Sequence, residues 1–206
     1  MKYPVQIPFI LKYMFPHILW QGDKQKKYLY LTFDDGPSHS STERLLTLLS
    51  GEKVKATFFC RGDRSEKHAR LLSEIRKAGH LIGHHSFSHP NGLKTPSKEY
   101  LRDVQKSAKI LNSPLFRPPY GKLTIRQYLA LRKMGQKIVL WTVMPGDFDP
   151  QVDSNVLLRR MNKHLREGAI YVLHDHEKTI EKLEEVLPVF IQNARERGYE
   201  FRTIEI

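Results

Sequence analysis

Short apolar stretches recur along the chain with period-2 alternation or as continuous buried-type runs. They cover residues 27–33, 55–60, 80–84, 115–117, 136–143, 169–174 and 199–206. Each is bounded by Gly, Pro, Asp or Ser, which marks it as a strand. Between them the apolar positions change to a period near 3.6, at 41–52, 66–78, 97–111, 124–134, 154–167 and 179–197. That spacing gives one apolar face per helix. Gly51, Gly79, Gly135, Gly168 and Gly198 stand at or just past the ends of these patterns, where a left-handed cap is wanted.

Seven strands alternating with six helices predict an α/β fold with a parallel sheet. Two architectures fit. One is a distorted (β/α) barrel of about seven strands, resembling a TIM barrel. The other is an open doubly wound sheet. Both gather their chemistry at the carboxyl ends of the strands.

The polar clusters follow that rule. Asp34 and Asp35 follow the first strand, and Gly36-Pro37 turns the chain there. Two adjacent carboxylates cannot both face solvent from a regular strand, and burying one is costly unless it is paired or bound to a cation. His84, His85 and His89 follow the third strand. Arg117-Pro118-Pro119-Tyr120-Gly121 ends the fourth, Asp147 follows the fifth and His174 closes the sixth. Five clusters on one predicted rim point to one site.

His85 and His89 lie four residues apart, so one turn could aim both at a single ion. With one carboxylate they form a three-donor set that leaves a position open for water, as in catalytic zinc sites. The other carboxylate is then available as a general base. Arg117 can pair with a carboxylate and keep it ionised, and a backbone N–H near Tyr120 can serve as an oxyanion donor. Val172 shares a strand face with His174, an apolar wall beside a proton donor, and Asp147 can hold that imidazole protonated. Asp175 and His176 read as solvated loop residues, with substrate contact as the alternative.

Composition narrows the class. The 206 residues suit one domain with a sizeable core. The net charge of +12 reads as a solvated basic surface or as attraction to an anionic glycan. No nucleic-acid motif accompanies it, so nucleic acid is not an expected partner. Cys60 is the single cysteine, which excludes an internal disulfide. Residues 5–20 are apolar overall, but Lys12, Pro16 and His17 interrupt them well short of the ~18 residues of a membrane span. They lack the pattern of a signal peptide. They read as part of an extension, 1–26, packed on a domain of 27–206. Peripheral membrane contact through Phe9, Tyr13, Phe15 and Trp20 is the secondary reading. A cytoplasmic location follows as the first expectation, with the cell envelope or secretion as the alternative.

Taken in order, the clusters resemble the motifs of the polysaccharide deacetylases, carbohydrate esterase family four. Thr32–Pro37 matches the first motif in full, His85–His89 the His-Ser/Thr-x-x-His motif, and Arg117–Gly121 the Arg-x-Pro-Tyr/Phe-Gly motif. Asp147-Phe148 stands at the fourth, and Val172-Leu173-His174 at the fifth. The resemblance implies Asp34 as catalytic base, Asp35, His85 and His89 as metal ligands, Arg117 as the brace of the base, and His174 as catalytic acid tuned by Asp147. It further implies a distorted seven-strand barrel and a divalent metal, zinc first, with cobalt or nickel as alternatives. The substrate would be an N-acetylated oligo- or polysaccharide. His84 stands where many relatives have Asn, Phe148 replaces Trp and Val172 replaces Leu. Phe148, Val172, Pro118 and Pro119 are the expected lining of the acetyl pocket. The expected reaction is N-deacetylation of N-acetylglucosamine-containing glycans. The alternatives are an O-acetyl esterase on xylan-like glycans, a deacylase of a small amide, and a non-catalytic glycan-binding protein.

Overall fold

The computed structural model describes residue 5 and residues 13–205. Seven parallel strands carry the fold. They are β1 (Tyr28–Asp34), β2 (Thr57–Cys60), β3 (Leu81–His84), β4 (Leu115–Phe116), β5 (Lys137–Ile138), β6 (Ala169–His174) and β7 (Glu200–Phe201). The order across the sheet is β5-β4-β3-β2-β1-β6, with β7 paired to the start of β1. The helices are α1 (Ser41–Gly51), α2 (Gly62–Lys67), α3 (Ala69–Lys77), α4 (Ser97–Leu111), α5 (Ile125–Lys133), α6 (Ser154–Lys163) and α7 (Ile180–Glu196).

The sheet curls into a distorted barrel rather than lying open. Its closing side is made by residues 139–143. The Val139 N–H donates to Phe116, Leu140 to Leu19, and Thr142 and Val143 both to Ile170. Parallel bridges join Leu19 to Val139 and Val143 to Tyr171. This divided pairing explains why β5 is only two residues long where the sequence predicts eight. The segment is extended throughout, but it changes partners every one or two residues and so never forms a regular ladder. The doubly wound alternative is thereby set aside.

Period-2 alternation sorts β1 cleanly. Leu29, Leu31 and Phe33 face outward into a core shared with Leu45 and Leu49 of α1, Leu72 and Ile75 of α3, Leu157 and Met161 of α6, and Leu183, Leu187 and Phe190 of α7. Tyr30 faces inward with Phe59, Leu115, Val139, Ile170 and Ile204. Thr32 and Asp34 continue that inward face by parity, which aims Asp34 into the barrel mouth. A third cluster joins Tyr100 and Val104 of α4, Tyr128 and Leu131 of α5, Phe116 and Ile138 to Ile18 and Trp20.

The segment before β1 thus contributes to the packing. Trp20 is buried, and its indole N–H donates to the Phe15 carbonyl; Phe15 itself packs edge-on against Tyr128. Burial removes Trp20 from any membrane-facing set, while Tyr13 is exposed and Phe9 lies outside the described residues. No helix among the described residues is long and apolar enough to cross a membrane.

Two helices depart from expectation. The segment predicted at 66–78 starts earlier and is broken at His68, whose backbone leaves the helical region. The helix predicted at 154–167 ends at Lys163. Gly168 instead closes the turn into β6. Its φ is +70° and a side chain there would collide with the carbonyls of Gly22 and Asp23, so only glycine fits. Gly79, Gly135 and Gly198 take the left-handed form past their helices, but past α1 that conformation falls on Lys53 rather than Gly51.

Candidate active site

Every polar cluster read from the sequence meets at one end of the barrel. The buried Asp34 ends β1. Its Oδ1 accepts from the Arg117 guanidinium at 2.7 Å, and its Oδ2 lies 3.9 Å from His85 Nε2. Arg117 follows β4 and is fully buried. It donates to Thr32 Oγ1 at 2.6 Å and to the Leu140 carbonyl at 3.0 Å, and it stacks on Phe59 at 4.1 Å. A buried guanidinium is tolerated when its donors are satisfied and its charge is paired. Burial pushes Arg117 down, and Asp34 opposes that shift. The result is a carboxylate with one oxygen pinned and the other facing the site.

Asp35 adopts φ +75°, and that left-handed step swings its side chain away from the strand direction. Ser86, His89 and Tyr120 are also in the left-handed region without being glycine. Such strain gathers where the surroundings over-determine the backbone, commonly at functional sites. Donor atoms of Asp35, His85 and His89 lie within 4.8 Å of one another. His89 Nε2 is 3.4 Å from Asp35 Oδ1.

The chemistry of this trio fits a divalent cation. His85 Nδ1 bonds the Arg117 carbonyl at 2.7 Å. A carbonyl only accepts, so Nδ1 carries the proton and Nε2 presents a lone pair to the site. Burial pushes His85 down despite Asp34 and Asp35, and pushes His89 down to about 4. Both rings are therefore neutral, as ligands must be. Burial pushes the Asp35 carboxyl up, but His85, His174 and His89 outweigh it and hold it below the ordinary value. Asp35 Oδ1 is buried with no hydrogen-bond partner, the mark of an oxygen made for a cation.

His174 ends β6, the strand beside β1, in register with Asp34. Its Nδ1 lies 3.0 Å from Asp147 Oδ1, and its backbone N–H donates to Asp147 Oδ2 at 2.7 Å. Burial would lower the imidazole pKa. The Asp147 charge and hydrogen bond, with Asp34 and Asp35 behind them, outweigh burial and raise it to about 9. Lys182 of α7 fixes the loop, donating to the carbonyls of Asp147 and Asp149.

The expected lining is distributed unevenly. Phe148 is partly exposed and meets the His174 ring edge-on at 5.0 Å. Val172 is buried one strand repeat below His174. Tyr120 is exposed, its ring 4.7 Å from that of His89. Pro118 and Pro119 are buried and stiffen the turn that carries Tyr120.

Three contributions were not legible in the sequence. Asp103, which looks like one more polar position of a helix, holds the histidine loop by accepting from the backbone of Phe87 and Ser88 and from the Ser88 hydroxyl. His84 is buried, stacked on Phe116 and bonded to Gln136 at 2.6 Å. Asp175, expected in solvent, is fully buried and accepts from the hydroxyls of Ser41 and Thr42 at 2.6 and 2.5 Å. For none of the three does the local pattern reveal the partner, because each partner lies far along the chain.

The family model for polysaccharide deacetylase matches residues 21–139, more than half of the sequence. The chain belongs to the polysaccharide deacetylase family. Among curated relatives it is 30% identical over 200 residues to a peptidoglycan-N-acetylglucosamine deacetylase of Bacillus cereus, covering 91% of each chain. A crystallised peptidoglycan N-acetylglucosamine deacetylase, Bc1960, superposes with a TM-score of 0.88 at 28% identity, covering 96% of this chain and 94% of that one. A pseudoenzyme of carbohydrate esterase family four from Bacillus anthracis is similar too, with a TM-score of 0.81 at 27% identity, covering 91% and 67%. Family membership therefore leaves catalysis to be argued from the side chains. In this polysaccharide deacetylase the Asp34–Arg117 and His174–Asp147 pairs and the Asp35, His85 and His89 cluster are all present.

Proposed function

We propose that the chain is a metal-dependent hydrolase that removes N-acetyl groups from N-acetylglucosamine-containing glycans of the peptidoglycan or chitin-oligosaccharide type. One observation carries this reading. Asp34, a carboxylate pinned by Arg117, and His174, an imidazole paired with Asp147, end adjacent strands in register beside the Asp35, His85 and His89 donors.

Those three residues would hold the cation, and their two imidazoles and one carboxylate suit zinc. Bound there, the cation supplies Lewis acidity, which acidifies water and polarises an amide carbonyl. Asp34 takes the proton from the attacking water through Oδ2, the oxygen that Arg117 leaves free. The Tyr120 N–H, on its left-handed turn, donates to the developing oxyanion. His174 gives its proton to the departing nitrogen, which an amine needs to leave. Phe148 and Val172 shape the space for the acetyl methyl beside that imidazole.

Acetate release from N-acetylated chito-oligosaccharides tests the reading, with zinc or cobalt added and after chelation. Release that stops on chelation and returns with metal is the expected result. A protein that binds zinc yet releases no acetate from these or from peptidoglycan fragments would overturn it.

A further inference from the structure

Asp175 takes no part in the chemistry above, yet it is a fully buried carboxylate one residue from the proton donor. It touches four points of the opposite loop. Its Oδ1 and Oδ2 accept from Ser41 Oγ and Thr42 Oγ1, the first two residues of α1. Thr42 Oγ1 in turn accepts from the Ser38 N–H at 2.8 Å. The Asp175 N–H donates to the Asp34 carbonyl at 2.8 Å. Its Oδ2 presses on Gly36 so closely that a β-carbon there would come within 2.1 Å. Alongside, the Ser38 hydroxyl donates to Glu177 at 2.8 Å. The loop between β1 and α1 is thus anchored at both ends to the residues that follow His174.

From this arrangement we infer that Asp175 is a positioning residue. It sets the Asp34–Asp35 step against His174, so that base, metal donor and acid keep one spacing. The loop needs such an anchor. Asp35 is left-handed, and Gly36 has no side chain with which to pack. Among the described residues, the bonds at Ser38, Ser41 and Thr42 tie this connection through side chains to the residues just after β6. The catalytic part of this inference rests on the proposed deacetylase reading, whereas the metal-donor part does not.

The test compares Asp175→Ala, Asp175→Asn and the double variant Ser41→Ala/Thr42→Val with the parent protein. Four quantities are read: zinc affinity by competition with a chromogenic chelator, kcat and KM for acetate release, and melting temperature. Partners that orient metal ligands are commonly worth about 10- to 100-fold in affinity or activity. The expected result is a fall of at least about tenfold in zinc affinity or kcat for Asp175→Ala and for the double variant, with KM little changed. Asp175→Asn, which keeps one acceptor, should recover part of the loss. Zinc affinity and kcat both within twofold of the parent in a folded variant would overturn the inference, as would a loss confined to melting temperature. If Asp175→Ala does not fold, the double variant decides on the same limits, because it leaves the carboxylate in place. Should the parent release no acetate, the deacetylase reading fails alone and zinc affinity still judges Asp175.

Discussion

Asp34 and Asp35 are chemically identical neighbours with different proposed tasks, and the backbone separates them. Asp34 keeps the inward parity of β1 and meets Arg117, whereas Asp35 turns left-handed and meets the histidines. Asp34→Asn should therefore retain zinc and lose acetate release. Calorimetric titration with zinc alongside an acetate assay checks this, and appreciable turnover in the variant would remove Asp34 from the role of base. A second residue gives a prediction about stability. His80 is buried, and its Nδ1 accepts from the Ala56 N–H at 3.1 Å, which only the neutral ring can do. Burial, with Lys55 adding to it, lowers its pKa from 6.5 to about 4. Between those values the unfolded chain binds more protons than the folded one. The stability tied to neutral His80 is then complete above about pH 6.5 and lost as the pH falls towards 4. His80→Asn keeps an acceptor without titrating, so urea denaturation across that window should show a shallower acid slope than the parent. An unchanged slope would assign the acid sensitivity elsewhere.

At the scale of elements, the strands whose alternation is strong were readable and those that share partners were not. β1 and β6 exchange a six-residue parallel register, from Leu29 opposite Ala169 to Asp34 opposite His174, and both stand where the apolar pattern puts them. β5 is cut short because residues 139–143 divide their hydrogen bonds among β4, the Leu19 segment and β6. The connection after β1 is fixed by contacts rather than by regular structure, and its weak point is Gly36. Gly36→Ala places a methyl group where Asp175 Oδ2 sits, and relief requires the carboxylate or the loop to move. Overpacking of this kind typically costs about 1–3 kcal/mol. Urea denaturation should show that loss, with weaker zinc binding beside it. A variant as stable and as zinc-avid as the parent would mean that the loop yields freely.

For the molecule as a whole, the barrel mouth gathers polar groups that a bound cation would satisfy. A buried carboxylate oxygen without a partner, two neutral imidazoles and several left-handed residues are held together by the surrounding strands. A ligand that binds only the folded state stabilises it by RT ln(1 + [L]/Kd), about 2.7 kcal/mol at a hundredfold excess over Kd. For a chain of this length that corresponds to roughly 5–10 °C in melting temperature. Differential scanning fluorimetry with zinc and then with excess chelator should show the rise and its reversal. Asp35→Ala should abolish both, and an equal rise in that variant would place the cation elsewhere.

The order of strands and helices, the parallel sheet and the rim residues Asp34, Asp35, His85, His89, Arg117, Asp147 and His174 follow from the sequence by itself. Each depends on local periodicity, or on residue types whose burial is too costly to be incidental. Only the tertiary structure decided how the barrel closes and which oxygen of Asp34 is free. It also placed Asp175 in a buried hydrogen-bond network, Asp103 under the histidine loop and Trp20 in the core. Asp103 and Asp175 find partners 16 and 134 residues away along the chain. Local sequence pattern carries periodicity and turn chemistry, and it holds no record of which distant hydroxyl or carbonyl will complete a buried group.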